Sequence, residues 1–181
     1  ADRARVAVQA LTAHNYDLLL CGYELNQGAD GYQLFEQLLD QELISTATTV
    51  VFLSSEKDLA LSRSIIELKP DDFILRPFST KELEQRLLRV LKKKMALKDV
   101  FEAIDNKRYK TATARLNEHI SANTHPKWIP YLMKLKGEII LAMKNWPVAE
   151  QFFDKVYKLH PYPWAKLGLI ESLFQQKKTE A

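Results

Sequence analysis

Three short apolar runs in the first eighty residues restrict this chain to very few architectures. They are Leu18-Leu19-Leu20-Cys21, Val50-Val51-Phe52-Leu53 and Phe73-Ile74-Leu75. Each is apolar at consecutive positions rather than at alternate ones. A strand of that kind is covered on both faces, as in a parallel sheet held between helices. The intervening segments supply the helices. Asp2–His14 carries Val6, Ala7, Ala10 and Leu11 at helical spacing, and Gly31–Leu43 places Leu34, Phe35, Leu38 and Leu39 on one face. Asp58–Leu68 reads as a further helix, stopped by Pro70. Strands are expected at Asp17–Cys21, Thr49–Leu53 and Phe73–Leu75. Their alternation with helices implies right-handed crossovers.

After Ser79 the pattern changes. Ser79 or Thr80 is expected to cap a long helix, with Glu82 in its first turn. Helical spacing then continues through Leu83, Leu87, Leu91, Met95 and Val100 to Asn106 with no Gly or Pro. The last helix of the first half is therefore expected to run close to, or directly into, the first helix of the second. Lys92-Lys93-Lys94 in this stretch reads as a solvated helix face. Beyond it no strand-like run occurs. Tyr109-Lys110-Thr111-Ala112 with Leu116 parallels Trp146-Pro147-Val148-Ala149 with Phe153. In both, a small residue allows two helices to approach and a large apolar one fills the groove beside it. Gly137 and Gly168 are expected at similar close contacts, and Pro126 and Pro161 punctuate helix pairs. The second half is all-α: helical hairpins that each need a neighbour.

Composition excludes several classes. The 181 residues carry 26 basic and 23 acidic side chains, which leaves no nucleic-acid footprint. No stretch approaches the roughly 18 apolar residues that span a bilayer. Cys21 is the only cysteine, so disulfides within the chain are impossible; the expected compartment is the cytoplasm.

Residues 1–92 resemble a response-regulator receiver domain from its second helix to its last. The matching text is Tyr16-Asp17-Leu18-Leu19-Leu20-Cys21, Asp30-Gly31-Tyr32-Gln33-Leu34, Val50-Val51-Phe52-Leu53-Ser54-Ser55 and Pro70-Asp71-Asp72-Phe73-Ile74-Leu75-Arg76-Pro77-Phe78. The last stretch is the most specific. Residues 93–181 resemble tetratricopeptide repeats, over about 93–126 and 130–161, followed by the first helix of a third repeat containing Trp164, Leu167 and Gly168. Together these imply an α/β plus all-α chain: a partial flavodoxin-like parallel sheet, then tetratricopeptide-like hairpins.

The receiver resemblance also implies a site. The aspartate that accepts a phosphoryl group falls on Gly22, the phosphate-binding hydroxyl on Ser54 and the pairing lysine on Arg76. The bond before Pro77 is expected to be cis, and the aromatic that moves on activation falls on Phe73. The acidic pair that binds magnesium would lie before Ala1, with the first strand, first helix and second strand. The chain is accordingly read as a fragment, its strand at Asp17–Cys21 left as an open edge.

Other carboxylates substitute poorly for an acceptor at position 22. Asp17 sits at the strand start, about 16 Å from its end. Glu24 and Asp30 belong to the following loop, where Asp30-Gly31 reads as turn and helix start. Ser54 and Ser55 lack the glycine elbow of a hydrolase, and the histidines (His14, His119, His125, His160) show no ligand spacing. In the second half, Tyr131, Lys134 and Glu138 would line a groove suited to a partner peptide. The expected function is a non-enzymatic signalling adaptor, with no metal or cofactor. Its protein partners would bind through the repeat groove, with a homodimer formed through the receiver-like half or strand 17–21. The alternative is a phosphorelay response regulator using Mg²⁺. A DNA-binding regulator would need a basic recognition helix, which the sequence does not offer.

Overall fold

The computed structural model describes residues 4–23, 31–55 and 69–177. In chain order the elements are α1 (Ala4–Ala13), β1 (Leu18–Gly22), α2 (Gly31–Asp40), β2 (Thr49–Ser55), β3 (Asp72–Arg76), α3 (Thr80–Ala96), α4 (Lys98–Asp105), α5 (Tyr109–Ala122), α6 (Ile129–Ala142), α7 (Trp146–Leu159) and α8 (Pro163–Gln175). A 3₁₀ turn at Pro126–Trp128 precedes α6. The helix expected at Asp58–Leu68, together with Glu24 and Asp30, lies outside the described residues. Two compact units result, Ala1–Phe101 and Glu102–Ala181.

In the first unit the three strands are parallel, in the order β1-β2-β3. The consecutive apolar runs do what their pattern requires, sending alternate residues to opposite faces. Val50 and Phe52 join Cys21, Leu11, Leu34, Phe35 and Leu38 in a core with α1 and α2, where Phe35 and Phe52 meet edge to face at 5.4 Å. Val51 points the other way, to Ile74 and Val90, where Leu83 and Leu87 of α3 pack. β2 is thus buried on both faces, while among the described residues β1 lies at the edge of the sheet with Leu20 exposed.

Ser79 caps α3 by accepting a hydrogen bond from the Glu82 N–H at 3.1 Å. The helix does not run on into the next. Leu97 leaves helical geometry at φ −110° and ψ 17°, while its side chain is fully buried. Nothing in the local sequence marks this break. It coincides with the burial of that one leucine.

The lysine run corrects the sequence reading. Lys92 is exposed, but Lys94 is not a solvated side chain. Its ammonium lies 4.5 Å from the centre of the Phe101 ring and meets Asp71 at 3.2 Å and the Thr46 carbonyl. Burial pushes the Lys93 ammonium below its usual range, partly countered by Asp71. Asp71 also accepts the Val50 N–H at 2.9 Å.

Beside it, Asp72 binds Arg86 through two hydrogen bonds, 2.6 and 3.0 Å, and Arg89 at 3.0 Å. Burial alone would raise the Asp72 pKa. The hydrogen bonds from Arg86 and the Phe73 N–H, with the charges of Arg86 and Arg89, outweigh that and hold it below the usual carboxylate range. A depressed folded-state pKa adds stability above the unfolded value of about 4, and that stability is lost as pH falls through the folded value. Asp72→Asn should therefore cost about 2 kcal/mol near neutrality and remove part of the acid-induced loss. Thermal unfolding of both proteins from neutral to acid pH measures this; parallel curves would refute it.

In the second unit a single ring organises the packing. Phe153 of α7 lies between Gly137 of α6 and Gly168 of α8, and a Cβ on either glycine would come within 2.8 or 2.4 Å of it. The close contacts expected at these glycines are present, and Ala112 and Ala149 are both fully buried. After α4, α6 and α8 the chain turns through a lysine in left-handed geometry: Lys107 (φ 56°), Lys144 (φ 53°) and Lys177 (φ 57°). No helix among the described residues is long and apolar enough to cross a membrane.

Candidate functional site

The carboxyl ends of three parallel strands form the rim where α/β sheets hold ligands. Parallel pairing opposes Gly22 to Leu53, Ser54 to Leu75, and Ser55 to Arg76. Gly22 and Arg76 therefore end their strands, and Ser54 sits one residue before the end of β2, all at one end of the sheet. The Arg76-Pro77 bond is cis, as the resemblance implies. Phe73 lies lower, paired with Phe52, and packs half-buried against the α1/α2 core.

The rim around position 22 is built from backbone. The Tyr23 N–H donates to Leu53 O at 3.1 Å, and the Gly31 N–H donates to Tyr23 O at 2.6 Å. Cys21 Sγ lies 3.6 Å from Gly31 O. This pulls the start of α2 so near that a Cβ on Gly31 would sit 2.2 Å from the Gly22 carbonyl oxygen and 3.0 Å from Cys21 Sγ. Gly31 is required by close approach, not by its φ.

The chemistry of this rim is limited. Forming an acyl phosphate needs a carboxylate oxygen, and Gly22 supplies none. The Ser54 hydroxyl is buried, 3.4 Å from Ser55 O, and Arg76 is exposed. Magnesium needs several oxygen ligands. Among the described residues no three His, Cys, Asp or Glu side chains come together.

In the second unit Tyr131, Lys134 and Glu138 fall along one side of α6, each half-buried. Sequence reasoning missed a different cluster. Lys110 of α5, Lys136 of α6 and Lys155 of α7 surround one groove floored by Ile140, Val148 and Phe152. The three lysines are far apart in the chain, and only the stacking of three helices joins them.

Residues 1–88 match the family model of the response regulator receiver domain. The transcriptional regulatory protein CrdR of Helicobacter pylori (strain ATCC 700392 / 26695) is 25% identical over 142 residues, which cover 77% of this chain and 63% of that protein. The chain thus spans less than two thirds of that curated relative. Among solved structures, NtrX from Brucella abortus in complex with ADP aligns with a TM-score of 0.47 at 23% identity, covering 54% of this chain and 22% of that one. The receiver domain of the Francisella response regulator 1452 aligns with a TM-score of 0.44 at 25% identity, covering 51% and 74%. Over residues 1–88 the chain matches the response regulator receiver domain, and its three parallel strands agree with that match.

Proposed function

We propose that this chain is a non-enzymatic signalling adaptor of the two-component type. Its receiver works as a protein-binding platform, and its helical hairpins bind a second protein. The observation that carries this is Gly22, which stands at the strand end where the acceptor carboxylate would be. The rim keeps the scaffold of a phosphoryl pocket in Ser54, Arg76 and the cis bond at Pro77. It lacks the atom that would be modified.

The hairpin half fits a tetratricopeptide-like reading. Helix pairs recur with buried small residues at Ala112 and Ala149, and each first helix ends in a left-handed lysine. Tyr131, Lys134 and Glu138 are the residues offered to a peptide partner on that reading. A homodimer through the receiver half, or through the β1 edge, belongs to the same reading.

Incubation with acetyl phosphate, or with beryllofluoride and Mg²⁺, tests it. The expected result is no hydroxylamine-sensitive adduct by mass spectrometry and no saturable shift of the Phe73 or Arg76 amide resonances. A stoichiometric adduct would move the protein to the phosphorelay class. That second reading is favoured by the retained Ser54, Arg76 and cis bond. CrdR is named a transcriptional regulatory protein, and a DNA-binding regulator is the third reading. Salt-dependent retention on DNA would revive it, and the adaptor reading expects none.

A further inference from the structure

The groove among α5, α6 and α7 holds about 470 Å³ and carries only positive charge. Lys110, Lys136 and Lys155 stand around it, and Ile140, Val148 and Phe152 form its floor. A second hollow adjoins it, sharing Lys110 and Met143 and adding Lys107 and Arg108. Among the described residues no acidic side chain lines either hollow. This concentration stands out in a chain whose total charge is only +3.

The charges are held close to apolar surface. The Lys136 ammonium donates to Asn117 Oδ1 at 2.7 Å and lies 5.6 Å from the centre of the Phe152 ring. Its own burial, then the charge of Lys155, push its pKa below the usual lysine range. A cation in that setting gains from an incoming anion, because desolvated charges interact more strongly than exposed ones. Val148 remains 47% exposed on the floor, a large apolar contact left open to water.

The ligand must therefore be anionic and must also carry apolar bulk. Nucleic acid fits less well. Single strands bind by stacking bases on open aromatic faces, whereas the Phe152 ring meets Phe153 edge to face at 5.2 Å and faces the Lys136 ammonium. We propose that the groove formed by Lys110, Lys136, Lys155, Ile140, Val148 and Phe152 binds an acidic peptide segment of a partner protein. One bulky apolar side chain of the segment sits on the floor and flanking carboxylates meet the lysines. This surface is separate from Tyr131, Lys134 and Glu138 and independent of phosphoryl chemistry at the sheet rim, so failure of one reading leaves the other standing.

Fluorescence anisotropy on the full chain tests it, with a short labelled peptide alternating Glu or Asp with Leu or Phe. Three controls accompany it: the same peptide with Ser in place of Leu and Phe, one with Lys in place of the acids, and a labelled oligonucleotide. The acidic–apolar peptide is expected to bind saturably, and more weakly at higher salt. The controls should bind at least about tenfold more weakly. Lys110→Glu combined with Lys155→Glu should lower affinity about tenfold or more. Both side chains are exposed, so the fold is spared, as circular dichroism would verify. Val148→Ser should weaken binding with little change in its salt dependence. Absence of binding overturns the proposal. So does equal binding of the Ser control, preference for the oligonucleotide, or indifference to the double charge reversal.

Discussion

Phe153→Ala should cost the second unit about 3–5 kcal/mol, the usual penalty for emptying an aromatic site in a core. The ring is 2% exposed and packs with Ile140, Ala149, Val156 and Ala165. Its loss cannot be relieved cheaply, because both flanking positions are glycines on rigid helices and neither can fill the space. Against a domain stability of roughly 5–15 kcal/mol, this is enough to leave residues 102–181 largely unfolded near physiological temperature. All three tryptophans, Trp128, Trp146 and Trp164, fall in this unit, so urea titration followed by tryptophan fluorescence reports on it selectively. The midpoint should collapse while the reactivity of Cys21, in the other unit, stays low. A midpoint within about 0.5 kcal/mol of wild type, the usual scale for surface changes, would show that the ring is not the organising contact. The reciprocal change, Gly168→Ala, drives a methyl into the same ring and should also destabilise, less severely, because alanine recovers about 1 kcal/mol of helix propensity.

Gly31→Ala should produce the largest effect in the receiver half. The added methyl meets the Gly22 carbonyl oxygen, a backbone atom with no rotamer to escape through. Overpacking of this kind costs about 1–3 kcal/mol, occasionally more. The helix start must move, breaking the 2.6 Å bond from the Gly31 N–H to Tyr23 O. Cys21, buried at 3% exposure and touching this junction, is the natural probe. Its alkylation should accelerate at least about tenfold, an opening cost reduced by some 1.4 kcal/mol. Unchanged thiol reactivity would mean that the rim tolerates the methyl and is looser than its backbone contacts require. Gly31 thus serves packing at this rim, and Gly22 brings no acid to it.

The charged groups show where reading residues in order stops working. Asp71 and Asp72 stood in a motif, but their partners did not. Arg86, Arg89 and Lys94 belong to the next helix, and Lys94 also reaches Thr46. A lysine run looks the same on paper whether it faces water or bonds an aspartate and a distant backbone carbonyl. The groove of Lys110, Lys136 and Lys155 was invisible for the same reason, since each lysine alone is an ordinary surface residue. The one signal available was the apolar exposure implied by Val148 within a helix-pair repeat.

The order of amino acids by itself determined the parallel strands, the Ser79 cap and the glycine at position 22. Each of these rests on local periodicity, a single capping geometry or the identity of one residue. Tertiary structure alone decided the burial of Leu97 and Lys94 and the gathering of three lysines around an apolar floor. Those outcomes depend on residues distant in the chain, whose desolvation and charge energies exist only once the elements have packed.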